Sequence, residues 1–231
     1  MKKLLIALVA LLPSLAMASS EHLHLEKANI DLHDKASLQR GVDLFQHYCS
    51  GCHSTQYQRY ERVATDLGIS FDDMRKNYMF TDVKIGELMQ NAIPKKDAAK
   101  WFGTTPPDLT LVARARGEDW VYSYLKGFYQ DPSRPFGVNN KVFPSVGMPH
   151  VLQELQGLPV EQEDGTTVAT GGKLNAEEYD QAVRDITGFL AYSAEPVKLE
   201  RQALGWWVLG FLFVFFIIAY LLKKEYWKDV H

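Results

Sequence analysis

Residues 48–54 read Tyr48-Cys49-Ser50-Gly51-Cys52-His53-Ser54, and the rest of the chain is interpreted outward from this stretch. Its core, C-x-x-C-H, is the attachment signature of a c-type haem. The spacing has a chemical reason. Two thiols add across the two vinyl groups of one haem, and the next residue places an imidazole on the iron. Cys49 and Cys52 are the expected thioether links and His53 the proximal axial ligand. A thioredoxin-like C-x-x-C normally follows a strand and opens a helix. Here a helical pattern precedes the motif instead, with Ser37 as the expected N-cap and Leu38, Val42 and Phe45 at helical spacing. A zinc site would need further Cys or His ligands, and the chain has no second Cys pair.

The sixth ligand has to come from elsewhere. Met74, Met79, Met89 and Met148 are the thioether candidates outside the N-terminal segment. Met148 lies in Ser145-Val146-Gly147-Met148-Pro149-His150, where a glycine and a proline suit a short, rigid loop. Met74 and Met79 fall in a charged, helical-looking stretch. Met89 is expected on the apolar face of a short helix with Ile85 and Leu88, so packing is the role read for all three. His150 is the rival to Met148. Histidine–methionine ligation raises a reduction potential, so the choice matters for function.

Both ends carry apolar runs. Residues 1–18, MKKLLIALVALLPSLAMA, have a basic start, a short apolar centre and a small-x-small end, the pattern of a cleaved secretory signal peptide. Leu204 to Leu222 holds 19 residues without a charge. At about 1.5 Å rise per residue this spans roughly the 30 Å hydrocarbon layer. Trp206, Trp207, Tyr226 and Trp227 flank the run as interfacial aromatics do, and Lys223, Lys224 and Lys228 follow it, which puts the C-terminus in the cytoplasm. The expected division is a signal peptide at 1–18, a periplasmic haem domain at 19–203, a transmembrane anchor at 204–222 and a cytoplasmic tail at 223–231.

The 231 residues carry 25 Lys+Arg and 28 Asp+Glu, a net charge of −3, with 46% hydrophobic residues. This excludes a disordered chain and a polytopic membrane protein, and it lacks the basic excess of a nucleic-acid binder. Setting aside Lys2, Lys3, Lys223, Lys224 and Lys228, and Glu225 and Asp229, leaves 20 basic and 26 acidic residues in the exported part, a net −6.

Between the ligands, Pro106-Pro107 make an extended turn. Asp119 is the expected cap of a helix whose face is Val121, Tyr124, Leu125 and Phe128. Arg114 or Arg116 beside a haem would pair with a propionate, though residue type alone makes either a surface charge. Residues 130–147 read as a long loop. Asp164-Gly165 marks a small hairpin within 157–172, and Asn175 with Glu178 forms a capping box. Tyr179, Val183, Ile186 and Leu190 line the helix that follows. Pro196 is expected in the first turn of the last helix, which continues into the membrane. The expected fold is mainly α: a cytochrome c-type haem domain with long loops and a small β-hairpin, plus one C-terminal transmembrane helix.

Taken together, Arg40-Gly41 leading to YCSGCHS, PPDLTLVARARGEDW (106–120), VGMPHVL (146–152), EDGT (163–166) and AEP (194–196) before the anchor resemble the cytochrome c1 family in its bacterial form. C-x-x-C-H is shared by all c-type cytochromes, whereas the PPDL block and the C-terminal anchor are far more specific. The resemblance implies one covalent haem c, attached outside the cytoplasm, with Met148 as sixth ligand and Arg116 on a haem propionate. Trp120 stands where the family often has a tyrosine near a propionate. The GED segment is shorter here than in mitochondrial relatives, and Trp101 and Phe102 replace asparagines near the haem. The implied role is electron-transfer subunit of the cytochrome bc1 complex (ubiquinol–cytochrome c reductase). Its partners would be cytochrome b, a Rieske [2Fe–2S] protein and a c-type cytochrome acceptor, in a dimeric complex at the cell inner membrane. A haem subunit of an oxidase or nitric-oxide reductase, a haem-based sensor, and a redox-silent subunit are the alternatives. An anchor at the C-terminus, a nine-residue tail and an intact ligand set weigh against them in turn.

Overall fold

The computed structural model describes residues 25–162 and 165–228. The signal-peptide reading and Asp164 of the expected hairpin turn lie outside them. Helix α1 (Lys35–Tyr48) begins at Asp34, whose carboxylate accepts from the Ser37 backbone N–H at 3.0 Å. This corrects the expected start at Ser37, which lies inside the first turn. The Ser37 hydroxyl donates instead to Asp185, 148 residues away, at 2.6 Å. Leu38, Val42 and Phe45 are buried, as their spacing predicts.

Their partner is α7 (Ala176–Ala194). Helix α7 opens with the predicted capping box: the Asn175 side chain accepts from the Glu177 and Glu178 N–H groups, and Glu178 accepts from the Asn175 N–H at 2.9 Å. Tyr179, Val183, Ile186 and Leu190 are all buried. The two helices cross in direct backbone contact at Gly41, where a Cβ would lie 2.0 Å from the Asp185 carbonyl oxygen. Around the crossing, Arg40 grips the buried Asp185 carboxylate with two N–H groups at 2.6 and 3.1 Å. Phe45 meets Phe189 with ring centroids 5.3 Å apart.

The middle of the chain wraps this pair. Strand β1 (Thr55–Arg59) leads into α2 (Tyr60–Leu67) and pairs antiparallel with β2 (Leu88–Met89). Met89 is therefore on a strand, not on the expected helix. The two-residue strand is too short for its period to show in sequence. Phe71–Asp73 is one α-helical turn that passes into a π-helical turn, Met74–Tyr78. Met74 and Met89 are buried and Met79 packs beside them, the packing role read for all three. Helix α3 (Lys95–Phe102) follows, with Trp101 exposed.

Helices α4 (Val112–Arg116) and α5 (Glu118–Lys126) meet at Gly117, whose φ of 96° makes the corner. Gly117, not Asp119, is the residue before α5. Asp119 sits in the first turn and accepts from the Ala28 N–H at 2.9 Å and from Lys27, tying the N-terminal segment down. Phe128 has left the helix for β3 (Phe128–Gln130), which pairs with β4 (Val138–Asn140). The expected loop at 130–147 thus contains half of a hairpin, built from strands too short to alternate legibly. After α6 (Gln153–Gln156), β5 (Gly157–Glu161) and β6 (Thr167–Gly171) form the predicted hairpin, in register from Gly157–Gly171 to Glu161–Thr167.

Helix α8 (Lys198–Tyr226) is continuous and contains the whole apolar run. Pro196 lies before its cap, Val197, rather than in its first turn. An 18-residue window of the helix has a mean hydropathy of 2.3, and none of that window is buried by the rest of the fold. A 29-residue helix that presents Trp, Phe, Leu and Ile on every side needs a non-aqueous surrounding.

The Gly41 crossing makes a sharp demand. Gly41→Ala is expected to lower stability by about 3 kcal/mol, the upper range for forcing atoms into a packed core. Asn175→Ala should cost about 1 kcal/mol through loss of the cap. Thermal unfolding of the two variants measures both, and equal losses would contradict the crossing.

Candidate haem site

Helix α1 delivers the motif. Its cap is Cys49, whose N–H donates to Phe45 at 2.9 Å. The Cys52 and His53 N–H groups both return to the Cys49 carbonyl, at 3.1 and 2.9 Å. The motif is thus one tight turn, with both thiols free. Cys49 is buried, and burial, followed by the neighbouring Cys52, pushes its thiol up to about 12. Cys52 is half-buried.

His53 is the best-defined part. Its Nδ1 lies 2.7 Å from the Pro107 carbonyl oxygen. A carbonyl only accepts, so Nδ1 carries the proton and Nε2 keeps its lone pair. Burial holds the imidazole pKa below its usual value, while the Pro107 hydrogen bond and Asp108 oppose this more weakly. The ring is neutral, oriented and left with one basic nitrogen, the state in which imidazole binds a metal. The surrounding chain fixes the turn. Asn91 donates to the Cys52 carbonyl at 2.7 Å, and the Leu109 N–H donates to the Ser54 carbonyl at 2.8 Å. A cleft of about 330 Å³ beside the motif is lined by Phe45, His53, Tyr60, Phe80, Met89 and Ile93, among others.

Arg116, Trp120 and Met148 come together elsewhere, along α5. The Arg116 guanidinium lies 5.2 Å over the Trp120 ring. Trp120 stacks on Tyr124 at 5.0 Å, Tyr124 meets Phe128 edge-on at 5.3 Å, and Phe128 stacks on His150 at 4.9 Å. Trp120 and Tyr124 are four residues apart on one face of α5, while Arg116 at the end of α4 and Phe128 at the start of β3 extend the row beyond the two ends of that helix. The Tyr124 hydroxyl donates to the Met148 sulfur at 3.3 Å. Met148 is half-buried against Phe128, Val138 and Val146, and does not line the His53 cleft. Trp120 and Tyr124 also pack on the main core that includes Cys49, so Tyr124 touches both groups. Arg114 is paired with Glu195 at 3.4 Å, whereas no described carboxylate pairs with Arg116.

His150 is buried, with the Gln156 side chain beside it, and its Nε2 makes no well-formed hydrogen bond among the described residues. Burial lowers its pKa to about 4, so the ring is neutral. Pro107, Asn91, Tyr124 and Phe128 are site residues that sequence reading did not single out. Pro107 and Asn91 act through or on backbone carbonyls, which no side-chain pattern reveals. Tyr124 and Phe128 were visible as a helix face but not as neighbours of Met148.

The donor set fits a covalently held haem: two unpaired thiols on one turn, a neutral histidine with a free nitrogen, and a thioether on a separate loop. These features, with one membrane-length helix among the described residues, fit the c-type cytochrome class. The chain belongs to the Cytochrome C1 family, whose model matches residues 25–230. It is 54% identical to cytochrome c1 of Allochromatium vinosum, over 100% of both chains. It is 47% identical to a Nitrosomonas europaea protein named ammonia monooxygenase gamma subunit, over 100% of this chain and 99% of that one. It is 29% identical to mitochondrial cytochrome c1 of Saccharomyces cerevisiae, over 93% of this chain and 76% of that one. A solved chain of a hyperthermophilic respiratory Complex III aligns with a TM-score of 0.47 at 18% identity, covering 100% of this chain and 98% of that one. With family membership come haem and an electron-transfer role in the bc1 respiratory complex.

The two thiols should differ in reactivity before haem attachment. In the haem-free chain, Cys52 is expected to be alkylated at pH 8 at least about tenfold faster than Cys49, because only the thiolate attacks and Cys49 resists ionising. Peptide mapping of a timed iodoacetamide reaction reads this directly, and equal rates would contradict the burial of Cys49.

Proposed function

We propose that the chain relays single electrons through one haem c, which Cys49 and Cys52 would hold by thioether links and His53 and Met148 would ligate. The observation that carries this reading is the His53–Pro107 hydrogen bond at 2.7 Å, on the same turn as two free thiols. Bound there, the haem supplies a ferric/ferrous couple. The residues of the chain do the rest. Pro107 holds the imidazole in one tautomer and orientation. Met148 offers a soft thioether donor, which favours the reduced state over a second nitrogen ligand. Arg116, which lacks a carboxylate partner among the described residues, is placed to pair with a propionate. The Trp120 indole N–H is a further donor nearby. No residue of the chain makes or breaks a substrate bond, so it acts as a relay within the reductase and supplies no acid, base or nucleophile.

The donor in this reading is the Rieske [2Fe–2S] protein and the acceptor a c-type cytochrome. Cytochrome b is the membrane partner, and the complex is dimeric. Residues 1–18 are removed on export, 19–203 fold in the periplasm, 204–222 cross the inner membrane and 223–231 stay in the cytoplasm. The lysines after the apolar run and the continuity of α8 support this topology. A net −6 on the exported part favours a basic acceptor.

Purification from detergent-extracted membranes through a tag on this chain tests the assembly. A b-type cytochrome and a Rieske protein are expected to co-elute. Co-elution of an ammonia monooxygenase instead would favour a role matching the name of the Nitrosomonas europaea relative. Met148→Leu should retain covalent haem, lower its midpoint potential and slow quinol oxidation. An unchanged potential in redox titration would transfer the ligand role to His150.

A further inference from the structure

We propose that Arg134 and Tyr124 are positioning residues that clamp the Met148 loop at two points, its backbone and its sulfur, so that the thioether is presented in one fixed orientation. The inference rests on Met148 being an iron ligand.

The loop needs such a device. Between β4 and Met148, residues 141–147 contain no helix or strand, so no regular ladder holds them. Side chains of the β3–β4 hairpin take over. Asn140 Oδ1 accepts the Val142 and Phe143 N–H groups at 2.8 and 3.1 Å. Asn139 Oδ1 accepts the Ser145 N–H at 2.8 Å. Arg134, in the turn of the hairpin, donates from Nη2 to the Ser145 carbonyl at 2.8 Å and to the Val146 carbonyl at 3.4 Å. Ser145 has a φ of +62°, a left-handed conformation that residues with a side chain adopt only when held there. Asn139 holds its N–H and Arg134 its carbonyl, so the unfavourable turn is fixed from both sides. Val146 is then buried against Phe128 and Val138, and Met148 lies two residues on.

The second point is the sulfur. Tyr124 is fixed between Trp120 and Phe128, and its hydroxyl donates to Met148 Sδ at 3.3 Å. A thioether sulfur has two lone pairs. With one engaged by the hydroxyl, the other is available to a metal. The donated proton also draws electron density from sulfur, which disfavours the more positive, ferric state.

The test uses the haem-loaded full chain in its detergent-solubilised complex. Tyr124→Phe, Arg134→Gln, Arg134→Lys and, as reference, Met148→Leu are compared. Covalent haem per chain, the methionine-to-iron charge-transfer absorption of the ferric form, carbon monoxide binding to the ferrous form and the midpoint potential are recorded. Tyr124→Phe is expected to keep its haem and shift the potential downward. Arg134→Gln should weaken the charge-transfer absorption and admit carbon monoxide, and Arg134→Lys, which still donates to a carbonyl, should restore part of both. If Met148→Leu loses the absorption while Tyr124→Phe and Arg134→Gln match the parent protein, the clamp is overturned and the ligand stands. If Met148→Leu keeps the absorption, the ligand reading falls and the clamp falls with it. Should Arg134→Gln not accumulate, Tyr124→Phe, which removes a single oxygen, decides the matter alone.

Discussion

The α1–α7 crossing is the contact on which everything else depends. It joins residues 41 and 185 without a side chain between them, because Gly41 has no Cβ to clash with the Asp185 carbonyl. Asp185 then collects donors from Ser37, Arg40 and Gln181, so its buried carboxylate is satisfied on all sides. A buried charge with that many hydrogen bonds fixes the rotation of one helix against the other. The rotation decides where α1 ends, and α1 ends at Cys49. The candidate haem-binding turn is in this sense an extension of a helix whose position is settled about two turns earlier, at Gly41.

The second organising constraint is the register of α5. Trp120 and Tyr124 fall on one face of α5, Arg116 reaches over Trp120 from the end of α4, and Phe128 continues the line after α5 has ended. The stack carries a surface cation at one end and the buried His150 at the other. Met148 hangs from its middle through the Tyr124 hydroxyl. Aromatic contacts of this kind contribute about 0.5–1.5 kcal/mol each beyond the area they bury, enough to hold a loop that has no backbone ladder. Two supports therefore serve the two proposed ligands: a backbone carbonyl for His53 and a side-chain stack for Met148.

Periodic features were legible from residue order. Leu38, Val42 and Phe45, and Tyr179, Val183, Ile186 and Leu190, all proved buried. The Asn175 capping box, the β5–β6 hairpin and the unbroken apolar helix also followed from pattern. Short elements did not. Met89 on a two-residue strand, and β3 and β4 within an expected loop, carry too few residues to establish a period. Local caps misled in a different way. Ser37 and Asp119 have cap chemistry, but a distant carboxylate and the Ala28 N–H respectively took their side chains.

By itself, the sequence determined the family, the major helices and the one membrane-length helix among the described residues, and it carried the motif from which haem attachment is proposed. These depend on residue type at fixed short spacing, where bond geometry leaves little freedom. Only the tertiary structure decided which nitrogen of His53 keeps its lone pair, since that is dictated by the Pro107 carbonyl 54 residues away. The same holds for the alignment of Arg116, Trp120 and Met148 through Tyr124, and for the left-handed turn at Ser145 held by Asn139 and Arg134. Hydrogen bonds to backbone carbonyls and contacts between separate loops depend on where the chain returns in space, and linear order does not encode that without the fold.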